Sequence, residues 1–261
     1  MHVSGQITPV NTVLAATLGG TVIFVCLVLF SILTAQFNAD HWPTLPWFPI
    51  PVLAVVFSVM FFCDSRWDIG LRNTCNAPVP LIMAFAITSN IAAHAVWVLE
   101  KTWHGTVYSA PAGPDDVSFL FSATYWVAIS IALSTASEFC FRGIMQSQLS
   151  RIMGVAATIA IVVLFNTISH PWESLWPRFF GVLAILFAWG WLRQISGSLK
   201  ACILTHLAAV MIGDAIFWFT GPVAFGEYTN GHRLIVVLVA AISLVLSIYL
   251  SQRIVLIKHR R

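Results

Sequence analysis

The sequence predicts an all-α polytopic membrane protein with about eight transmembrane helices. Charged residues make up only 9% of the 261 residues and apolar residues 59%, against about 25% and 45–50% in soluble globular domains. The mean hydropathy of +0.87 agrees with this composition. Apolar stretches close to the roughly 20 residues that a helix needs to cross a bilayer also recur along the whole chain.

These stretches divide the chain into predicted spans that are joined by short connections. The spans are 13–36, 48–63, 79–99, 118–140, 154–170, 177–193, 201–220 and 233–252. The longest connection, 100–117, is too short to hold a soluble domain. We therefore expect a single integral membrane domain over residues 1–261.

Lysine and arginine lie mainly on one side of the predicted bundle. Ten are on the side of the two termini, namely Arg66, Arg72, Arg142, Arg151, Arg193, Lys200, Arg253, Lys258, Arg260 and Arg261, and three are on the other side, namely Lys101, Arg178 and Arg233. Because basic residues favour the cytoplasmic side, we expect both termini in the cytoplasm, as in a protein of the bacterial inner membrane. The net charge of +3 is therefore explained by the basic residues on the predicted cytoplasmic side, and it predicts no nucleic-acid partner.

A few polar and ionisable residues interrupt the predicted spans. They are Asn90, His94, Glu138, Arg142, Asn166, His170, His206 and Asp214. A charge at the centre of a membrane helix costs about 2.5–3.5 kcal/mol on insertion scales, so such residues usually have a function. Glu138 and Arg142 are four positions apart and share one helix face, which predicts an ion pair.

Glu138, His170 and His206 fall on three different predicted helices. A carboxylate and an imidazole can act together as a general base on water, and a second imidazole can stabilise an oxyanion. Structural alternatives also remain. Glu138 and Arg142 could form an ion pair that only holds two helices together, and His206 could make a structural contact with Asp214. The three side chains can meet at one depth only if residues of about 143–154, "GIMQSQLSRIMG", lie along the membrane interface and the spans are tilted or the site is cupped.

The segment "EFCFRG" resembles the EExxxR-type signature of the CAAX protease and bacteriocin-processing family of glutamate intramembrane proteases. Glu138 matches the second Glu of that signature and Arg142 matches its Arg. By their order, His170 matches the His of the family's FxxxH motif, and His206, after "GSLKACILTH", matches the His of HxxxN. The resemblance covers about residues 118–220 and implies about eight membrane helices and endopeptidase activity.

Three positions depart from the family's pattern. Ser137 replaces the first Glu, to which the resemblance assigns water activation, Asn166 replaces the Phe of FxxxH, and Val210 replaces the Asn of HxxxN. In one interpretation the protein is an active, divergent member, in which Glu138 and His170 activate water and Asn166 replaces the missing hydrogen bond to the oxyanion. In the other interpretation the site is degenerate, and the protein is a membrane scaffold or an immunity protein.

Other intramembrane chemistries lack their motifs in this sequence. No histidine belongs to an HExxH zinc motif, no GxSG-like turn is present, and Asp214 is the only Asp in a predicted span. Cys140 lies about 200° around the helix from Glu138, so it points away from the ion pair. A metal site formed by Glu138, His170 and His206 remains an alternative by ligand type. A small transporter is a further alternative, because buried ionisable residues also line ion paths.

The sequence therefore predicts a glutamate-type endopeptidase. Glu138 is the expected general base, Arg142 orients it, His170 shares the water, and His206 and Asn166 stabilise the oxyanion. This chemistry requires no metal and no organic cofactor. The expected partners are the lipid bilayer and a membrane-anchored or tagged protein, and a prenylated C-terminus, a bacteriocin leader and a tagged surface protein are all compatible substrates.

Overall fold

The chain forms helices where its apolar stretches predict spans. A computed structural model describes residues 54, 57–58, 60–62, 69–71, 77–108, 119–170, 175–220 and 223–259. From residue 77 onward, the helices whose bounds the structure describes are α1 (Val79–His104), α2 (Phe119–Glu138), α3 (Gln146–Leu149), α4 (Val155–Ile168), α5 (Phe179–Ser196), α6 (Leu199–Thr220) and α7 (Asn230–His259). Phe139–Met145 forms a π-helix between α2 and α3, and short 3-10 turns lie at Trp176–Arg178 and Phe225–Glu227. Strands β1 (Val107–Tyr108) and β2 (Val223–Ala224) form one short antiparallel pair.

The all-α class is confirmed by these elements. Each predicted span from 79–99 onward coincides with a helix, whereas span 13–36 and most of span 48–63 lie outside the described residues. Within the described part, Val79–His104, Phe179–Ser196 and Asn230–Ile257 are long and apolar enough to cross a membrane. Helix Val155–Ile168 is apolar but shorter, and the part Leu199–Gly213 of α6 is apolar as well. The total of about eight spans remains a prediction.

Helix α5 lies at the centre of the described bundle. It packs against α1, α4 and α6, while α1 also packs against α7 and α2 packs against α6. One apolar cluster surrounds the π-helix, a second joins α1, α5, α6 and α7, and a third joins α4 to α5. Helix α7 keeps most of its apolar side chains exposed, as expected for a helix that faces lipid.

A carboxylate from α1 satisfies the start of α5. The two carboxylate oxygens of Glu100 accept hydrogen bonds from the backbone N–H groups of Phe180, at 3.0 Å, and Gly181, at 2.9 Å. The first N–H groups of a helix have no partner within the helix, and a negative charge is favourable there. Glu100 therefore holds the N-terminus of α5 against α1 and helps to fix the position of α5 along the bundle.

The predicted interfacial stretch 143–154 is wrong over its first half. Residues 143–149 continue the helix that carries Glu138, and Gly143, Gln146 and Leu149 are buried. A β-carbon on Gly143 would lie 3.1 Å from the side chain of Leu199, so glycine allows the start of α6 to approach closely. The amide of Gln146 donates to the backbone oxygen of Gly190 at 2.8 Å. Because these groups find partners inside the bundle, only the turn from residue 150 onward is exposed.

We expect Gly181→Ala to destabilise the protein, because a β-carbon there would lie 2.5 Å from Cβ and 2.6 Å from Cα of Trp97. Helices α1 and α5 would have to separate, and overpacking of this kind costs about 1–3 kcal/mol. Gly213→Ala is the matched control, since nothing lies within 4 Å of its β-carbon. Thermal unfolding in detergent measures both variants, and equal midpoints would contradict the close contact.

Candidate active site

A π-helical turn directly follows Glu138, the last residue of α2. The backbone N–H of Gln146 donates to the carbonyl of Phe141, five residues earlier, which is the π pattern. The backbone stays right-handed and helical on both sides of this turn, so α2, the π-helix and α3 form one continuous helix. Such turns are rare and often occur at functional sites. Here the turn carries Arg142 at its centre.

Glu138, Arg142 and His206 form a buried charged cluster. Oε1 of Glu138 lies 2.9 Å from Nδ1 of His206 and 3.4 Å from Nη1 of Arg142. The side chains of Glu138 and Arg142 are completely buried, and that of His206 is 15% exposed. Because an ionised carboxylate can only accept, Nδ1 of His206 carries the proton in this contact. The predicted pairing of Glu138 with Arg142 is therefore present, and α6 brings His206 to the same oxygen.

Helix α5 provides backbone acceptors for this cluster. Nη2 of Arg142 donates to the carbonyl oxygen of Leu186 at 3.1 Å. One turn further along α5, the amide of Gln146 reaches the carbonyl oxygen of Gly190. The side chains at positions 142 and 146 thus extend from one helix toward successive turns of α5. This arrangement fixes the guanidinium group on the side away from Glu138 and leaves Nη1 for the carboxylate.

An aromatic ring covers the imidazole of His206. The ring of Trp189 stacks on His206 with 4.0 Å between the ring centroids and 29° between the ring planes. Its Nε1–H donates to Oδ1 of Asn90 at 3.0 Å, and Cζ of Arg142 lies 5.9 Å from the centre of the indole ring. The sequence did not identify Trp189, because tryptophans near predicted span ends are also typical of the membrane interface.

Asn166 and His170 lie together at the end of α4. Nδ1 of His170 is 2.9 Å from the backbone oxygen of Asn166. Since that oxygen can only accept, Nδ1 donates, and Nε2 of the neutral ring keeps its lone pair. His170 is half-buried and close enough to His206 for their charges to interact. No hydrogen bond in the described part of the chain joins this pair to Glu138.

Four buried polar atoms of the candidate residues have no hydrogen-bond partner among the described residues, namely Oε2 of Glu138, Nε and Nη1 of Arg142, and Nδ2 of Asn166. Nη1 of Arg142 still forms the 3.4 Å ion pair with Oε1 of Glu138. Buried polar atoms in proteins are nearly always paired, so each unpaired atom requires an explanation. Oε2 of Glu138 is an acceptor of the kind that removes a proton from water. Nδ2 of Asn166 is a donor of the kind that binds an oxyanion.

The other positions named by the sequence fall around this cluster. Ser137 is buried, Val210 is half-buried, and the side chain of Asp214 lies outside the described residues. Cys140 is buried in the apolar cluster around the π-helix. Within the described ranges, no three His, Cys, Asp or Glu side chains come close enough together to hold a metal ion.

These features define a helical integral membrane protein with a buried carboxylate, guanidinium and imidazole cluster. Residues 119–212 match the family model described as type II CAAX prenyl endopeptidase Rce1-like. The resemblance predicted from the motifs is thereby confirmed, and the matched segment contains every candidate residue from Glu138 to His206. No curated protein and no solved structure matches the chain.

We expect Arg142→Leu to destabilise the protein strongly. It would leave the carboxylate of Glu138 buried without its cationic partner, and removing one member of a buried ion pair costs about 3–5 kcal/mol. The double variant Glu138→Gln/Arg142→Leu should recover much of this loss, because it removes both charges. Arg253→Leu is the control, since Arg253 is exposed and its one hydrogen bond among the described residues goes to Tyr249. Unfolding midpoints that are equal for Arg142→Leu and Arg253→Leu would contradict this view.

Proposed function

We propose that this protein is a glutamate-type intramembrane endopeptidase. The observation that carries the proposal is the Glu138 carboxylate. It is fully buried, Arg142 and His206 bind one of its oxygens, and its other oxygen has no partner among the described residues. This carboxylate lies within the segment that matches a family of endopeptidases. An ionisable group that is buried and held ready in this way is a good candidate for a catalytic base.

In the proposed reaction, Oε2 of Glu138 accepts a proton from a water molecule. The oxygen of that water then bonds to the carbonyl carbon of the scissile peptide bond. Arg142 and His206 both contact Oε1, so they fix the rotamer of the carboxylate and compensate its charge in a low-dielectric site. His170 has a free Nε2 lone pair with which it can accept a hydrogen bond from the same water.

Attack on the carbonyl carbon places a negative charge on the carbonyl oxygen. Asn166 is proposed to stabilise this charge through its Nδ2–H group, which is buried and unpaired. His206 donates its Nδ1–H to Glu138, so it supports the same oxyanion through an Nε2–H, with both ring nitrogens protonated at this step. When the carbon–nitrogen bond breaks, the proton on Glu138 transfers to the leaving amine, and the carboxylate returns to its starting state. The cycle uses neither a metal nor an organic cofactor.

The departures from the family's motifs are compatible with this chemistry. Ser137 cannot act as a carboxylate base, but Glu138 has a free oxygen for the proton. Val210 cannot donate a hydrogen bond, but Asn166 has a free donor on another helix. For each function that the substitutions remove, the chain thus has another polar group that can supply it in the proposed reaction. This supports the active interpretation over that of a degenerate scaffold.

The test is cleavage in cells of a panel of membrane-anchored reporter proteins that include prenylated, leader-bearing and tagged substrates. Glu138→Gln should abolish cleavage at equal expression, because the amide cannot accept the proton of water. Cys140→Ala should retain cleavage, since Cys140 packs in an apolar cluster. Asn166→Asp should lower kcat by about 10²–10³, the usual loss of one oxyanion donor. Cleavage that is equal for wild type and Glu138→Gln would contradict the proposal.

We propose that the substrate is a protein or peptide held at the membrane, because the site lies among apolar helices. We also propose that both termini are cytoplasmic, on the basis of the ten-to-three distribution of basic residues. A reporter that is active only in the cytoplasm, fused after Arg261, should then be active. Activity of an exclusively periplasmic reporter at the same position would contradict this topology.

A further inference from the structure

Asn90 is a polar residue inside a predicted span to which the proposed reaction gives no role. Its Nδ2 donates to the backbone oxygen of Ala86 at 2.7 Å, which leaves Oδ1 as the acceptor for Nε1 of Trp189. Both functions of the amide are therefore used, and its orientation is fixed. Asn90 is on α1 and Trp189 is on α5. The hydrogen bond between them therefore fixes the side-chain orientation of the indole ring relative to α1.

The orientation of the indole matters because its face lies against His206. A histidine side chain has two rotatable bonds, and the contact of Nδ1 with Glu138 restrains only one edge of the ring. Stacking on Trp189 at a centroid distance of 4.0 Å restrains the plane of the ring as well. The two contacts together leave the imidazole a single orientation, and Nε2 is its free nitrogen.

We propose that Trp189, held by Asn90, is a positioning residue that keeps His206 on Glu138 during the reaction. The inference rests on the proposed function and adds a residue pair outside the motifs. Trp189 does not need to touch the substrate, since its effect passes through the imidazole. Its loss should therefore lower the rate of the chemical step and leave substrate binding unchanged.

Trp191 provides a matched control on the same helix. Its Nε1–H donates to Oγ of Ser251 at 2.7 Å, so it also bonds a polar side chain on another helix. It lines an apolar cavity of about 870 Å³ between α1, α5 and α7, which the residues of the carboxylate cluster do not line. Trp189 is buried and Trp191 is half-buried, but replacing either removes an indole and the same kind of hydrogen bond, and only the replacement of Trp189 uncovers His206.

The experiment compares kcat and KM for the best reporter of the panel. Trp189→Leu should lower kcat by about tenfold to a hundredfold with KM unchanged, as is typical of a misplaced catalytic group. Trp189→Phe keeps a stacking ring and should recover part of the loss. Asn90→Ala and Trp189→Phe should not be additive, because both remove the same hydrogen bond. Trp191→Leu should keep the kcat of the wild type.

A second measurement does not depend on activity. Labelling with diethylpyrocarbonate, followed by peptide mass spectrometry, gives the reactivity of His206 relative to that of the exposed His104. This ratio should rise severalfold in Trp189→Leu and stay constant in Trp191→Leu. Equal ratios in the two variants would overturn the positioning role, even if Glu138→Gln abolishes cleavage and the proposed function stands. If Glu138→Gln cleaves normally, the proposed function fails, and the labelling ratio still decides whether Trp189 orders His206.

Discussion

A charge that water cannot reach has to be compensated by the protein itself, and the carboxylate of Glu138 imposes this constraint on the described bundle. Arg142 compensates the charge from the same helix and His206 from another. The guanidinium then needs acceptors of its own, and it finds one in the Leu186 carbonyl of α5. These contacts fix the positions of three helical segments relative to one another, namely α2 with its π turn, α5 and α6. Apolar packing alone, which is weakly directional, would not specify that register.

Much of the arrangement could be predicted from the sequence because apolar stretches and isolated charges are strong signals in a membrane chain. The helices from residue 79 onward and the Glu138–Arg142 pair follow from those signals. The π turn could not be predicted, since the spacing of residues 138 and 142 is compatible with an α-helix as well. The contacts of Trp189 with Asn90 and His206 also could not be predicted, because these partners lie on other helices and meet only in the folded bundle.

In the proposed reaction, the chemistry of the family is retained although individual residues of its motifs differ. A motif records which residue supplied a hydrogen bond in related chains, whereas the reaction requires only a donor or acceptor at the right place. The amide nitrogen of Asn166 has no partner among the described residues, whereas position 210 of α6 is a valine, which cannot donate a hydrogen bond. Glu138 has a free acceptor beside the uncharged Ser137. Counting motif matches alone would therefore miss the polar groups on which the proposed reaction depends.

The π turn between α2 and α3 has a consequence for how the chain could have acquired its site. A π turn contains about one residue more than an α turn, so it absorbs a single inserted residue without changing the helix on either side. The packing of α2 on α6 and the contact of Gln146 with α5 then persist, while the residues inside the turn rotate. Arg142 lies in this turn. The insertion of one residue in a helix can thus change the direction of an arginine side chain without any substitution elsewhere in the chain.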